Sequence, residues 1–313
     1  KKFLNESYSD KKETNSLINL NHALSENGYF LQVDENYKFK KILVIYHLFT
    51  DDLNENFLNS KNKIIIGKFS EVHTLDLVIN NSKKNFFNSV NENITLDKSS
   101  VFKNISIQND KGFEYFYKFS QNNLHSNANY SSFIFPSGLK FNKLDLTIDL
   151  EGENSQCNVQ SASYLDHNDH QEIKTKINHF FPNCKSHQKV KNVLNSNSKG
   201  VFQGKIFVKN IAQKTDAYQL SKAILLSETS EFDSKPELEI YADDVKCSHG
   251  SSSGSIDNDS IYYLMSRGLN KKESTKLLIN GFLNEVVDSI KSNSIRKFIH
   301  KKIENQLHEY KKH

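Results

Sequence analysis

The chain has 313 residues, of which 36% are hydrophobic, 11% aromatic and 25% charged, a composition that supplies a sizeable core and excludes a disordered polymer. Its 41 Lys and Arg against 37 Asp and Glu leave a net charge of only +4, and Arg267 and Arg296 are its arginines, so the basic stripe and guanidinium forks of a nucleic-acid reader are missing. No apolar run reaches the roughly 20 residues of a membrane-spanning helix. The opening KKFLNESYSDKKETNS lacks the apolar centre of a signal peptide, and Cys157, Cys184 and Cys247 lie too far apart for a disulfide framework. These features lead us to expect a cytoplasmic protein with reduced thiols and no membrane contact.

In chain order, residues 1–28 read as a polar, short N-terminal helical segment around Leu17, Ile18 and Leu20. From 29 to 250 the texture is that of many short strands: KILVIYHLF (41–49), KIIIGKF (63–69), EVHTLDLVI (71–79), NISIQ (104–108), SSFIF (131–135), LKFNKLDLTIDL (139–150), HQEIKTKINHF (170–180), VFQGKIFVK (201–209) and LEIYA (238–242). In one of them Leu144, Leu146, Ile148 and Leu150 share a parity, with Asp145, Thr147 and Asp149 on the other, so one face is core and one is wet. Many strands with few helical interruptions specify a mainly β chain, as sandwich, barrel or β-helix. No sharp repeat chooses among these. Residues 251–313 form a C-terminal α-helical module. Ile261, Leu264 and Met265 are spaced for one helix that stops at Gly268, and Asn270 with Glu273 forms a capping box for the next. That second helix carries a stripe of Leu278, Ile279, Phe282, Leu283, Val286, Val287 and Ile290, in which Phe282 is expected to be buried on the face of Leu278 and Val286. A third helix from about Asn293 carries Ile295, Phe298, Ile299, Ile303 and Leu307.

Two groups of residues have the chemistry of a site. His167, His170, His179, Cys184 and His187 are of metal-ligating types, at a spacing that fits no standard finger. His179 shares the parity of Ile173 and Ile177, which gives it a structural reading as a buried, hydrogen-bonded histidine. The alternative is a metal site made from the whole group. In DDVKCSHG (243–250), Cys247 and His249 lie on one parity with Val245 if the strand continues, as metal ligands, as a reactive thiol pair or as structural residues. The following SSSG (251–254) reads as a linker. No phosphate-binding loop, dinucleotide loop, nucleophile elbow or HExxH helix occurs, so the chain brings no ATPase chemistry of its own.

The stretch KPELEIYADDVKCSHGSSSGSIDNDSIYYLMSRGLNKKES (235–274) closely resembles the C-terminal signature of the SufB/SufD family of iron–sulfur cluster assembly scaffolds. HNDHQ (167–171), PNCKSHQKVKNVL (182–194), GVFQGKIFV (200–208) and AQKTDAYQLSKAILLSE (212–228) extend the resemblance, which covers about half the chain strongly. Gly250 stands where SufB-type chains have a carboxylate, and SKAILLSE (221–228) lacks their upstream cysteine, so the wording is SufD-type. The resemblance implies a right-handed parallel β-helix core flanked by helices. It implies a non-catalytic subunit that pairs with SufB through that core and docks the SufC ATPase through the C-terminal helices at Tyr263, Arg267 and Phe282. It places a nascent cluster at the SufB interface near His249 and Cys247, with His249 as the metal-side residue and no cofactor held stably. The alternatives are a SufB-type scaffold that itself carries the cluster, or a His/Cys metal-binding β-helix protein.

Overall fold

A computed structural model describes residues 15–53, 57–109 and 115–309. The first fourteen residues of the expected N-terminal helical segment therefore lie outside the described residues. The chain enters through α1 (Ser16–Leu24), whose first turn is capped by the Asn15 side chain accepting from Leu17 N–H at 3.0 Å. The strands follow as β1 (Phe30–Val33), β2 (Leu43–Phe49), β3 (Phe57–Ile66), β4 (Glu71–Asn80), β5 (Phe87–Leu96), β6 (Val101–Asn109), β7 (Tyr115–Leu124) and β8 (Asn129–Ser137). They continue as β9 (Phe141–Leu150), β10 (Gln156–Leu165), β11 (His170–His179), β12 (Lys185–Leu194), β13 (Lys199–Val208), β14 (Asp216–Leu225), β15 (Glu231–Ile240) and β16 (Lys246–Gly254). The helices α2 (Asn258–Ser266), α3 (Lys271–Val287) and α4 (Asn293–Glu309) close the chain.

Odd-numbered strands stack in one eight-stranded sheet and even-numbered strands in another, with every pairing between strands parallel. The chain thus crosses from sheet to sheet and climbs one strand spacing per turn, which is a parallel β-helix. Registers such as Tyr115↔Phe141 and Phe30↔Lys63 show that a turn takes between 26 and 33 residues. This drift explains why no repeat is visible in the sequence.

Inward rows of the two sheets meet in one core containing Ile64, Ile94, Leu124, Ile148, Ile177 and Phe202. Burial along β9 alternates as the Leu144–Leu150 parity predicts, except where Asp145 on the outer face is also covered. Several strands escaped the sequence pattern because their inward rows are polar. Asn88, Asn122, Asn142, Ser161, Gln188 and Gln219 are all buried. Asn142 donates to Gln108 at 2.6 Å and Thr175 to Gln188 at 2.5 Å, so part of this polar lining pairs within the core.

One corner of the solenoid repeats a left-handed residue in successive turns: Asn36, Phe69, Ser99, Asn127, Asn154, Asn183 and Lys214, with φ between 57° and 64°. Each donates its N–H to a carbonyl of the next turn at 2.5 to 3.3 Å. The residue after each, from Phe69 on, is small and buried: Ser70, Ser100, Ala128, Ser155, Cys184 and Thr215.

The C-terminal helices do not stand apart as a module. Ile279, Leu283, Val286, Val287, Ile299 and Ile303 share a core with Phe133, Phe135, Tyr164 and Val193 on the outer face of the even-numbered sheet. The Asn270–Glu273 capping box forms as the sequence specifies. Phe282 differs from expectation: it is only half-buried, at the edge of this interface, with the Lys191 ammonium 4.3 Å from its ring centroid. Its position on α3 faces a lysine emerging from β12 rather than the helix-helix seam.

Candidate functional site at the terminal turn

The strands β15 and β16 end the two sheets, and among the described residues no further strand follows either of them. In the register of β16 on β14, Cys247 lies beside Ala217, His249 beside Gln219, Ser251 beside Ser221 and Ser253 beside Ala223. All four partners on β14 are buried, so Cys247, His249, Ser251 and Ser253 form the inward row of the last turn. SSSG, expected to be a linker, is the second half of this strand. Because no later turn covers the row, Cys247 is half-buried and His249 is exposed.

Beneath His249 runs a polar column. Gln188 Nε2 approaches Gln219 Oε1 at 3.5 Å, and Gln219 Nε2 donates to the carbonyl of Gly204 on the facing sheet at 3.3 Å. Gly204 leaves the space this amide occupies, since a Cβ there would sit 2.3 Å from Gln219 Oε1. Beside the column, Ser221 Oγ lies 2.8 Å from Ser234 Oγ and donates to Ser251 Oγ at 3.1 Å. Cys247 packs with Leu238 and Val245 against Ala217 and Ala242, and this burial pushes its thiol up from the usual range. Cys247 is therefore a protonated thiol at neutral pH rather than a reactive thiolate. An imidazole nitrogen is a good ligand for iron, whereas the thiol must first lose its proton to become one. The arrangement offers one exposed soft-to-borderline ligand with a second in reserve below it.

The other histidine group does not converge. His179 is wholly buried, its Nε2 2.9 Å from Ser186 Oγ, and burial holds its pKa down to about 3. This is the structural position that its parity indicated. His170 lies on the outer face of β11 against the Phe141 ring, at 5.1 Å between centroids. Cys184 belongs to the small-residue corner, with Sγ 3.2 Å from Ser155 Oγ. His167 and His187 are exposed in a turn and on the outer face of β12. Among the described residues no group of three or more His, Cys, Asp or Glu is placed to hold a metal, which removes the reading of this group as a metal site.

The residues expected to meet an ATPase are elsewhere. On α2, Tyr262, Tyr263 and Met265 are exposed while Ile261 is buried, and the Arg267 guanidinium lies 5.2 Å from the Tyr263 ring centroid. Phe282 is on α3, beside the clasp that Glu285 makes with Lys189 at 3.0 Å and with Lys191. The serines and Gln219 were missed by sequence reasoning. The parity running Val245, Cys247, His249 would have reached Ser251 had SSSG been read as strand.

The model of the SufBD core domain of the SUF system for FeS cluster assembly matches residues 48–282, which includes the terminal turn. The chain belongs to the SufB/SufD family. Within it, the chain is 24% identical to the iron–sulfur cluster assembly protein SufD of Escherichia coli K12, over 95% of this chain and 71% of that one. It is 26% identical to SufD of Bacillus subtilis, over 95% of this chain and 68% of that one. A SufBD family protein of Synechocystis is 29% identical over 66% of this chain and 45% of its own length. These matches make the chain a SufD-type member, and its role is in iron–sulfur cluster assembly. No helix among the described residues is long and apolar enough to cross a membrane.

Proposed function

We propose that this SufD-type chain is a non-catalytic scaffold that pairs its terminal turn with a SufB-type β-helix and docks a SufC-type ATPase through its C-terminal helices. The observation that carries the first half is the exposure of His249 on an inward-facing row. An inward row is built to be covered, and a partner β-helix set over β15 and β16 would enclose His249 and Cys247 together. Enclosure excludes water and strengthens a metal–ligand or hydrogen-bonding contact made there. His249 then holds iron of the nascent cluster, which is the cargo of the complex and leaves it. Cys247, set deeper, becomes a ligand only when its proton passes to water or a neighbouring base as iron binds.

The second half rests on α2, whose Tyr262 and Tyr263 are exposed, Tyr263 with only the Arg267 guanidinium over its ring among the described residues. ATP hydrolysis belongs to the partner, since this sequence has no phosphate-binding loop. Movement of the docked ATPase reaches the solenoid through α3, which the Glu285 clasp ties to β12.

His249→Ala tests the site. The complex should still assemble and hydrolyse ATP, while cluster formation falls at least tenfold. Loss of assembly together with cluster formation makes His249 a structural residue. Full cluster yield on an intact complex overturns the proposed role.

A further inference from the structure

Ser251 lies on the same inward row as His249, two residues further along β16. At about 3.3 Å per residue their Cα atoms are about 7 Å apart, so one small cluster can meet both side chains. The Ser251 oxygen is already an acceptor, because Ser221 donates to it at 3.1 Å. A hydroxyl has one proton to give, so Ser221, having spent its own on Ser251, accepts from Ser234 at 2.8 Å. The chain of donation therefore runs from Ser234 through Ser221 to Ser251. Ser221 is buried at 1% exposure and fixes the middle of this relay, while Ser251 is exposed at its end. Hydrogen bonds in series polarise one another, and the proton left over at the exposed end of the series is that of Ser251.

We propose that Ser251 is a hydrogen-bond donor to an anionic sulfur of the nascent cluster, with Ser221 and Ser234 as the positioning residues that orient it. The proposal rests on the reading of His249 as the iron-side residue. The two side chains then divide the cargo by chemistry, the imidazole taking iron and the hydroxyl taking sulfide. Hydrogen bonds to cluster sulfurs stabilise the more electron-rich, reduced state and so raise the reduction potential.

The test uses the purified complex of this chain with its partners, loaded anaerobically with ferrous iron and sulfide. Loading is followed by visible absorption and the potential by electron paramagnetic resonance at poised potentials. Ser251→Ala should assemble with its partners and carry a cluster whose potential is shifted to more negative values. Ser251→Thr, which keeps the hydroxyl, should restore the potential, and Ser221→Ala should give an intermediate shift because it leaves the Ser251 proton undirected. An unchanged potential in Ser251→Ala, with loading abolished in His249→Ala, overturns the serine role and leaves the histidine reading standing. Loading lost in Ser251→Ala and not restored by Ser251→Thr makes the serine structural and overturns the proposal. Unchanged loading in His249→Ala, or no loading of the wild-type complex, overturns both.

Discussion

His179 sits at the inner end of β11 between Leu150 and Val208 of the adjoining turns, and burial holds its imidazole neutral to a pKa of about 3. In the unfolded chain the same group takes a proton near pH 6.5. Between pH 6.5 and about 3 the unfolded state therefore binds more protons, so stability falls as the pH drops through that window. The slope attributable to one such group is about 1.4 kcal/mol per pH unit. His179→Leu should flatten the stability profile in this window, as measured by urea unfolding at stepped pH, and leave the profile above pH 7 parallel to wild type. Retention of the full acid slope in this variant would assign it to other groups. His179 was legible in the sequence because a strand face repeats every two residues, and Ile173 and Ile177 declared that face. Cys184 was not legible. Its place is set by a left-handed Asn183 whose N–H donates to Gln213 one turn on, a contact 30 residues away with no local signature.

At the scale of elements, the strands rich in Val, Ile and Leu could be read and those lined with Asn, Ser and Gln could not. In β10 and β12 the inward row includes Ser163, Gln188 and Asn192, whose hydrogen bonds run to the adjoining turn or the opposite sheet. Hydropathy registers such a row as surface, because it does not see the partner. The helices had the opposite outcome: their apolar stripes were evident, but not that the stripe of α3 would be shared with a sheet. The fastening between the two is the Glu285 clasp. Lys191 and Lys189 hold the Glu285 carboxyl down to a pKa of about 2. Ionised Glu285 therefore contributes stability above the unfolded carboxylate range near pH 4.5, and that contribution is lost as the pH falls through about 2. Lys191 is 2% exposed in its side chain, so removing its anion leaves an ammonium with only the Phe282 carbonyl and ring. Glu285→Gln should cost on the order of 1–3 kcal/mol, whereas Lys191→Met in the Glu285→Gln background should recover most of it. Equal losses in the single and double variants would show that the clasp does not govern the docking of α3.

For the molecule as a whole, two exposed surfaces follow one another along the chain. The terminal turn presents His249 and Ser251, and α2 presents Tyr262, Tyr263 and Met265. Their independence is testable. Tyr263→Ser with Arg267→Ser alters exposed groups that stack on each other, so thermal stability should stay within about 0.5 kcal/mol of wild type. Binding of the ATPase subunit, read by copurification, should fall at least tenfold while pairing with the SufB-type partner persists. Loss of both partners together would mean that the two surfaces are not separate. The family resemblance identified the terminal turn from residues 235–274. Composition could not do so, because this row differs from those beneath it only in being the last of its stack among the described strands.

That position also sets a sequence of events during synthesis. Chains fold from the N-terminal side as they emerge, and each strand of a parallel stack lies on the one made a turn earlier. The row bearing His249 is therefore the final layer to be laid down, and it forms only on a foundation that is already correct. The helices emerge after it, and α3 must then travel back past two strands of its own sheet to reach β12 and β10. Closure of Glu285 on Lys191 thus comes after the last described strand has been laid down. A ribosome-bound chain stalled after Gly254 would have the strand of His249 in place and its C-terminal helices still to come.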